Sequence, residues 1–116
     1  MQDLTNCACA GKTLPKLLRP AVLSVLAKGD SHGYAILEYL KRQALCGDPP
    51  PDHTGVYRAL GAMETEGLIA STWEQPASGP AKRRYKLTPR GKTCLKKWKS
   101  TLQGYKRTID SLLQSL

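Results

Sequence analysis

The sequence lacks any long apolar run. No stretch of its 116 residues approaches the roughly 20 consecutive apolar residues of a transmembrane helix. Its start lacks the charged, apolar and small-residue regions of a secretory signal. A cytoplasmic protein with no membrane partner is expected, its four cysteines (Cys7, Cys9, Cys46 and Cys94) reduced and not a disulfide framework. A glycine-rich phosphate loop is missing too, and neither of the two histidines lies in a metal or nucleophile motif. That excludes the usual signs of an enzyme, and no cofactor is expected. Acids are nearly absent from the last third. Residues 82–116 carry 11 Lys/Arg and one acid, Asp110, whereas residues 1–81 carry 7 Lys/Arg and 8 Asp/Glu. So local an excess marks a surface for a polyanion, nucleic acid first and an acidic membrane surface second.

What is present is an ordered change of period, on a chain long enough for one domain with a modest core. From Leu14 the pattern is helical. Leu18, Val22, Val25 and Leu26 form a stripe, Pro20 fits the first turn and Gly29 ends it. In "DSHGY", Asp30 or Ser31 can cap a second helix that turns Ile36, Leu37, Leu40 and Ala44 inward. "CGDPPP" breaks the chain into a turn. A third helix lies in "PDHTGVYRALGAMETEGL", with Val56, Leu60 and Met63 on one face and Gly67 as its stop. Its other face is uneven. Thr54, Gly55, Tyr57 and Arg58 open it with no acid after Asp52, and Glu64 and Glu66 close it.

The period then becomes two. Ile69, Ser71 and Trp73 share one face of "LIASTWE". After the loop "QPASGPAK", Tyr85 and Leu87 alternate with Arg84 and Lys86, which gives a hairpin. "TPRG" starts a last helix, Thr88 as N-cap and Pro89 in its first position. There Leu95, Trp98, Leu102, Tyr105, Ile109, Leu112 and Leu116 are spaced 3-4-3-4-3-4, the seam of a coiled coil. A helix packed only on its own domain would carry a wider stripe, so self-association is expected.

Three helices, a small β-hairpin and a long helix give a mainly α, α+β fold: a winged helix-turn-helix with a C-terminal dimerisation helix. The expected division is an irregular segment at 1–13, a DNA-binding domain at 14–88 and a coiled-coil-like helix at 89–116. In such a fold the third helix enters the major groove of double-stranded DNA by its N-terminal residues. Thr54 and Gly55 would allow close approach, with the helix N-terminus itself attracting a phosphate. Tyr57 and Arg58 would reach a phosphate or a base edge, with Arg58 suited to guanine. Packing on the hairpin is the alternative for Tyr57, and a plain solvated charge the alternative for Arg58. Lys82, Arg83 and Arg84, where the wing returns, are expected on phosphate or in the minor groove. The rival reading is a winged-helix protein-interaction module with no specific DNA target.

"HGY", "VYRALGAMETEGLI" and "GPAKRRYKLTPRG" together resemble the PadR family of transcriptional regulators, over roughly Leu17 to Leu116. Met63, where leucine is usual, departs from the family pattern, as does Thr65 after Glu64. The single C-terminal helix is similar to that of the compact subgroup. The resemblance implies a homodimeric repressor, with Thr54, Gly55, Tyr57 and Arg58 in recognition-helix positions. It also implies that Trp98 is a candidate platform for a small aromatic effector, against the plainer role of an interface core residue. Cys7 and Cys9 form a Cys-x-Cys pair, a weak candidate for a soft metal or a thiol switch. Two thiolates are not a complete site, so no metal site is assigned.

Overall fold

The computed structural model describes residues 17–43 and 52–116. The segment 1–13, the start of the first helix at Leu14, and Cys7, Cys9, Ala44 and Cys46 lie outside the described residues.

Helix α1 runs Leu18–Ala27, with Pro20 in its first turn, where a missing amide N–H costs no hydrogen bond. It turns Val22, Leu23, Val25 and Leu26 into the core. The two-residue strand β1, Ser31–His32, leads directly into α2, Gly33–Gln43. Helix α3, His53–Thr65, is capped by Asp52, whose carboxylate accepts from the Gly55 N–H at 2.7 Å. The chain leaves α3 through Gly67 at φ 77°, the left-handed conformation that costs glycine least. Strands β2, Ile69–Glu74, and β3, Lys82–Leu87, follow.

The sheet order is β1-β3-β2, all antiparallel. The expected hairpin is β2–β3, with Ile69 opposite Leu87 and Glu74 opposite Lys82. The third strand is a finding beyond it. Ser31 and His32 pair with Tyr85 and Arg84, so Ser31 is a strand residue and not a helix cap. Two residues are too few to show a period.

Val22 and Leu23, Ile36 and Leu40, Val56, Leu60 and Met63, and Ile69 are fully enclosed, so three helices and the base of the wing share one core. Met63 takes its place there because an unbranched thioether fills irregular space.

Helix α4, Pro89–Ser115, begins at Thr88, whose hydroxyl accepts from the Gly91 N–H at 3.0 Å. The same hydroxyl lies 2.7 Å from Gly67 O, tying α4 to the end of α3. Gly91 is buried because α4 crosses the base of the wing there. A Cβ at this position would sit 2.0 Å from Leu68 O. At about 1.5 Å per residue, the 27 residues of α4 reach about 40 Å, well past the domain they start on.

Candidate nucleic-acid interface

Period and register decide which side chains meet on the wing. Ser71, Trp73, Arg83 and Tyr85 fall on the face turned toward α3, while Lys82, Arg84 and Lys86 fall on the other. Tyr85 is buried at 4% exposure and its hydroxyl pKa is raised, chiefly by loss of solvent. Nearby Arg83 opposes the shift, whereas Glu64 and Tyr57 add to it.

The start of α2, the first turns of α3 and the wing enclose an open concavity of about 600 Å³. Tyr34, Tyr57, Trp73, Lys82 and Arg83 line it. Of the expected contacts on α3, Thr54 and Arg58 are exposed, and Gly55 is half-buried beneath the Asp52 cap. One amide at this helix end already has a partner within the chain. Asp52 already occupies the Gly55 amide, and a Cβ on Gly55 would lie 2.9 Å from its oxygen. Gly55 therefore fits the cap first.

Tyr57 stacks on His53 with ring centroids 4.5 Å apart and lies against Gly33 at the start of α2. Its packing partner is thus another helix rather than the hairpin alone. Arg58 has no carboxylate partner among the described residues.

The three wing cations separate. Lys82 has no acid partner among the described residues. Arg83 reaches Glu64 at 2.8 Å. Arg84 lies 3.5 Å from Glu74, which also contacts His32 at 3.3 Å, and 4.0 Å from Asp30. Glu66, at the far end of α3, pairs with Arg19 of α1 at 2.8 Å. The acids of α3 are thus held by partners in this chain.

Tyr34 and Trp73, 64% and 68% exposed, were not among the expected contacts. Both carried a signal: Tyr34 falls off the Ile36–Leu37–Leu40 stripe, and Trp73 is a large aromatic at the outer end of a short strand.

The expected seam of α4 is divided. Leu95, Trp98 and Leu102 are half-buried against their own domain. They border a second hollow, of about 700 Å³, between α4 and α1, walled by Pro20, Ala21 and Ser24 on the α1 side. Lys92, Lys96 and Lys99 also line it. Tyr105, Ile109, Leu112 and Leu116 remain exposed, as does Leu113 beside them. Cys94 is a half-buried free thiol, and no cluster of three metal-ligating side chains occurs among the described residues.

A model of the transcriptional regulator PadR-like family matches residues 22–97. A PadR family transcription regulator from Clostridium difficile superposes with a TM-score of 0.74 at 27% identity, over 83% of this chain and 97% of that one. A transcriptional regulator from Clostridium thermocellum gives 0.76 at 23% identity, over 86% and 93%, a likeness of fold. Bacillus subtilis PadR, solved in complex with operator DNA, gives 0.63 at 31% identity over 70% of this chain and 45% of that one. No curated protein matches the chain significantly.

Proposed function

Because the chain belongs to the transcriptional regulator PadR-like family, we propose that it is a sequence-specific DNA-binding repressor acting as a homodimer. The observation that carries this reading is the concavity shared by α2, α3 and the wing. Lys82 on its lining and the nearby Arg58 lack acid partners among the described residues, while Asp52, Glu64 and Glu74 are all engaged within the chain. Such a face attracts a duplex without presenting free carboxylates to its phosphates.

In this reading the first turns of α3 enter the major groove. Arg58 reads a base edge by a bidentate contact, and Thr54 and Tyr57 hold sugar or phosphate. Gly55 lets the capped turn come close to the duplex. Lys82 contacts phosphate at the wing. Arg84 keeps the wing's outer face in register through Glu74 and Asp30, within reach of the same backbone.

Residues 14–88 form the DNA-binding unit and 89–116 the dimerisation helix. Two copies cover each other's exposed Tyr105, Ile109, Leu112 and Leu116, each buried aliphatic side chain contributing about 1.5–3 kcal/mol. Leu95, Trp98 and Leu102 extend that interface into the hollow between α1 and α4. Two-fold symmetry then presents two recognition helices to a two-fold operator. Release from DNA falls to a signal, for which the hollow beside Trp98 suits a flat aromatic molecule. A thiol or metal signal would use Cys7 and Cys9.

The test is a titration of the purified protein against the duplex upstream of its own gene, at two salt concentrations, with random duplex as competitor. Tight binding that resists competitor, by two copies per site, is the expected result. Binding to no duplex at low salt would end this reading in favour of a protein-interaction module.

A further inference from the structure

The middle cation of the wing sits in a closed ring of side chains. Arg83 Nε donates to Ser71 Oγ at 2.7 Å, and Arg83 Nη2 donates to Glu64 Oε1 at 2.8 Å. Ser71 Oγ in turn donates to Glu64 Oε2. Three elements, β3, β2 and α3, are thereby joined through one guanidinium. That guanidinium also lies 5.6 Å from the Trp73 ring centroid and 5.8 Å from that of Tyr85. Both fall within the roughly 6 Å range of cation–π attraction. Its planar fork serves a carboxylate, a hydroxyl and two aromatic rings together, which a lysine ammonium cannot do.

Glu64 lies seven residues after Tyr57, two turns on along the same side of α3. Whatever fixes Glu64 against the wing therefore fixes the roll of the helix that carries Tyr57 and Arg58. The roll decides which side chains of the first turns face a duplex.

We propose that Arg83 is a positioning residue. With Ser71 and Glu64 it locks the roll of α3 to the wing, and it makes no phosphate contact of its own. This rests on the DNA-binding reading above and changes the role of one residue within it. Of the three adjacent cations, the one facing α3 orients the reader, and the counterion-releasing contact is left to Lys82.

The test compares wild type with Arg83→Gln, Arg83→Lys, Glu64→Gln, Lys82→Ala and the Glu64→Gln/Arg83→Gln double variant. A first readout needs no DNA. Amide hydrogen exchange in β2 and β3 is expected to quicken in Arg83→Gln and Glu64→Gln, to stay quickened in Arg83→Lys, and to be no faster in the double variant. The second readout is affinity for the upstream duplex as a function of salt. Arg83→Gln and Glu64→Gln are expected to lose about tenfold in affinity for that duplex over random duplex. Their log–log salt slope should match wild type. Lys82→Ala should make the slope shallower by about 0.9, one phosphate.

A slope made shallower by that amount in Arg83→Gln overturns the proposal. So does a Glu64→Gln variant that binds all duplexes more tightly with a steeper slope, because Arg83, once freed, would then have gone to phosphate. If wild type binds no duplex, the DNA-binding reading is what fails. Exchange then decides the ring by itself, and unchanged protection in both Arg83→Gln and Glu64→Gln overturns it.

Discussion

At the scale of single residues, side chains of similar type and adjacent number have separate surroundings. Arg58 is exposed with no acid partner among the described residues, while Arg83 and Arg84 are tied to Glu64 and Glu74. Arg58→Ala should cost about 1–3 kcal/mol and relax preference at one base position, checked by competition with single-base variants of the bound duplex. Equal losses on every duplex would make Arg58 a phosphate contact instead. Gly91 is constrained by space: Gly91→Ala sets a Cβ 2.0 Å from Leu68 O, so α4 must shift. A loss of about 1–3 kcal/mol is expected in urea unfolding.

Tyr85 supplies a pH dependence. Burial raises its pKa above the ordinary value of 10.0, so its neutral form is favoured by folding. The resulting stability is fully present below the unfolded value and is lost as pH rises through the folded one. Thermal melts from pH 9 upward should fall more steeply for wild type than for Tyr85→Phe. Parallel curves would remove Tyr85 from that limb. The tyrosine itself was readable in the sequence as an inward wing residue. Its neighbour Glu64 was not, because it lies 21 positions away and meets Tyr85 only through the fold.

At the scale of elements, local chemistry was legible wherever it acts over a few residues. Thr88 with Pro89 starts α4, Gly67 ends α3, and the alternation after Ile69 makes strands, all as their sequence neighbourhoods dictate. Strand β1 was not legible. Ser31 and His32 have no period of their own and become a strand only because Tyr85 and Arg84 lie beside them. The 3-4 spacing of α4 was legible as a seam but not as a divided one. Spacing reports a face of the helix, and what covers that face changes along its length. Leu95, Trp98 and Leu102 line the hollow beside α1, whereas Ile109 and Leu112 have 54% and 57% of their surface exposed. Ile109→Asp with Leu112→Asp should therefore convert a dimer to a monomer in sedimentation while leaving the monomer's helical signal largely intact. An unchanged sedimentation coefficient would place the interface elsewhere.

At the scale of the whole molecule, the proposed function couples the two ends of the chain's design. The duplex-facing concavity belongs to α2, α3 and the wing, and the pairing surface to α4. Helix α4 starts against the base of the wing at Gly91 and carries the exposed Tyr105, Ile109, Leu112 and Leu116 toward its other end, so one helix joins the two surfaces. Diluting the protein below its dimer dissociation constant should then lower both its melting temperature and its operator affinity together. A melting temperature independent of concentration, with binding retained, would mean that one copy is enough. The sequence by itself determined the order of elements apart from β1, the helix and strand limits set by caps and turns at Gly67, Thr88 and Pro89, the inward faces, and the basic excess of the last third. Each of these is a matter of period, propensity or composition, which act locally or by simple sum. Only the tertiary structure decided which cations stay free. That Glu64 meets Arg83, and that three of the seven seam residues are already half-covered, depend on distances between elements. Those distances exist only once the core of Leu23, Ile36, Leu60 and Met63 has closed.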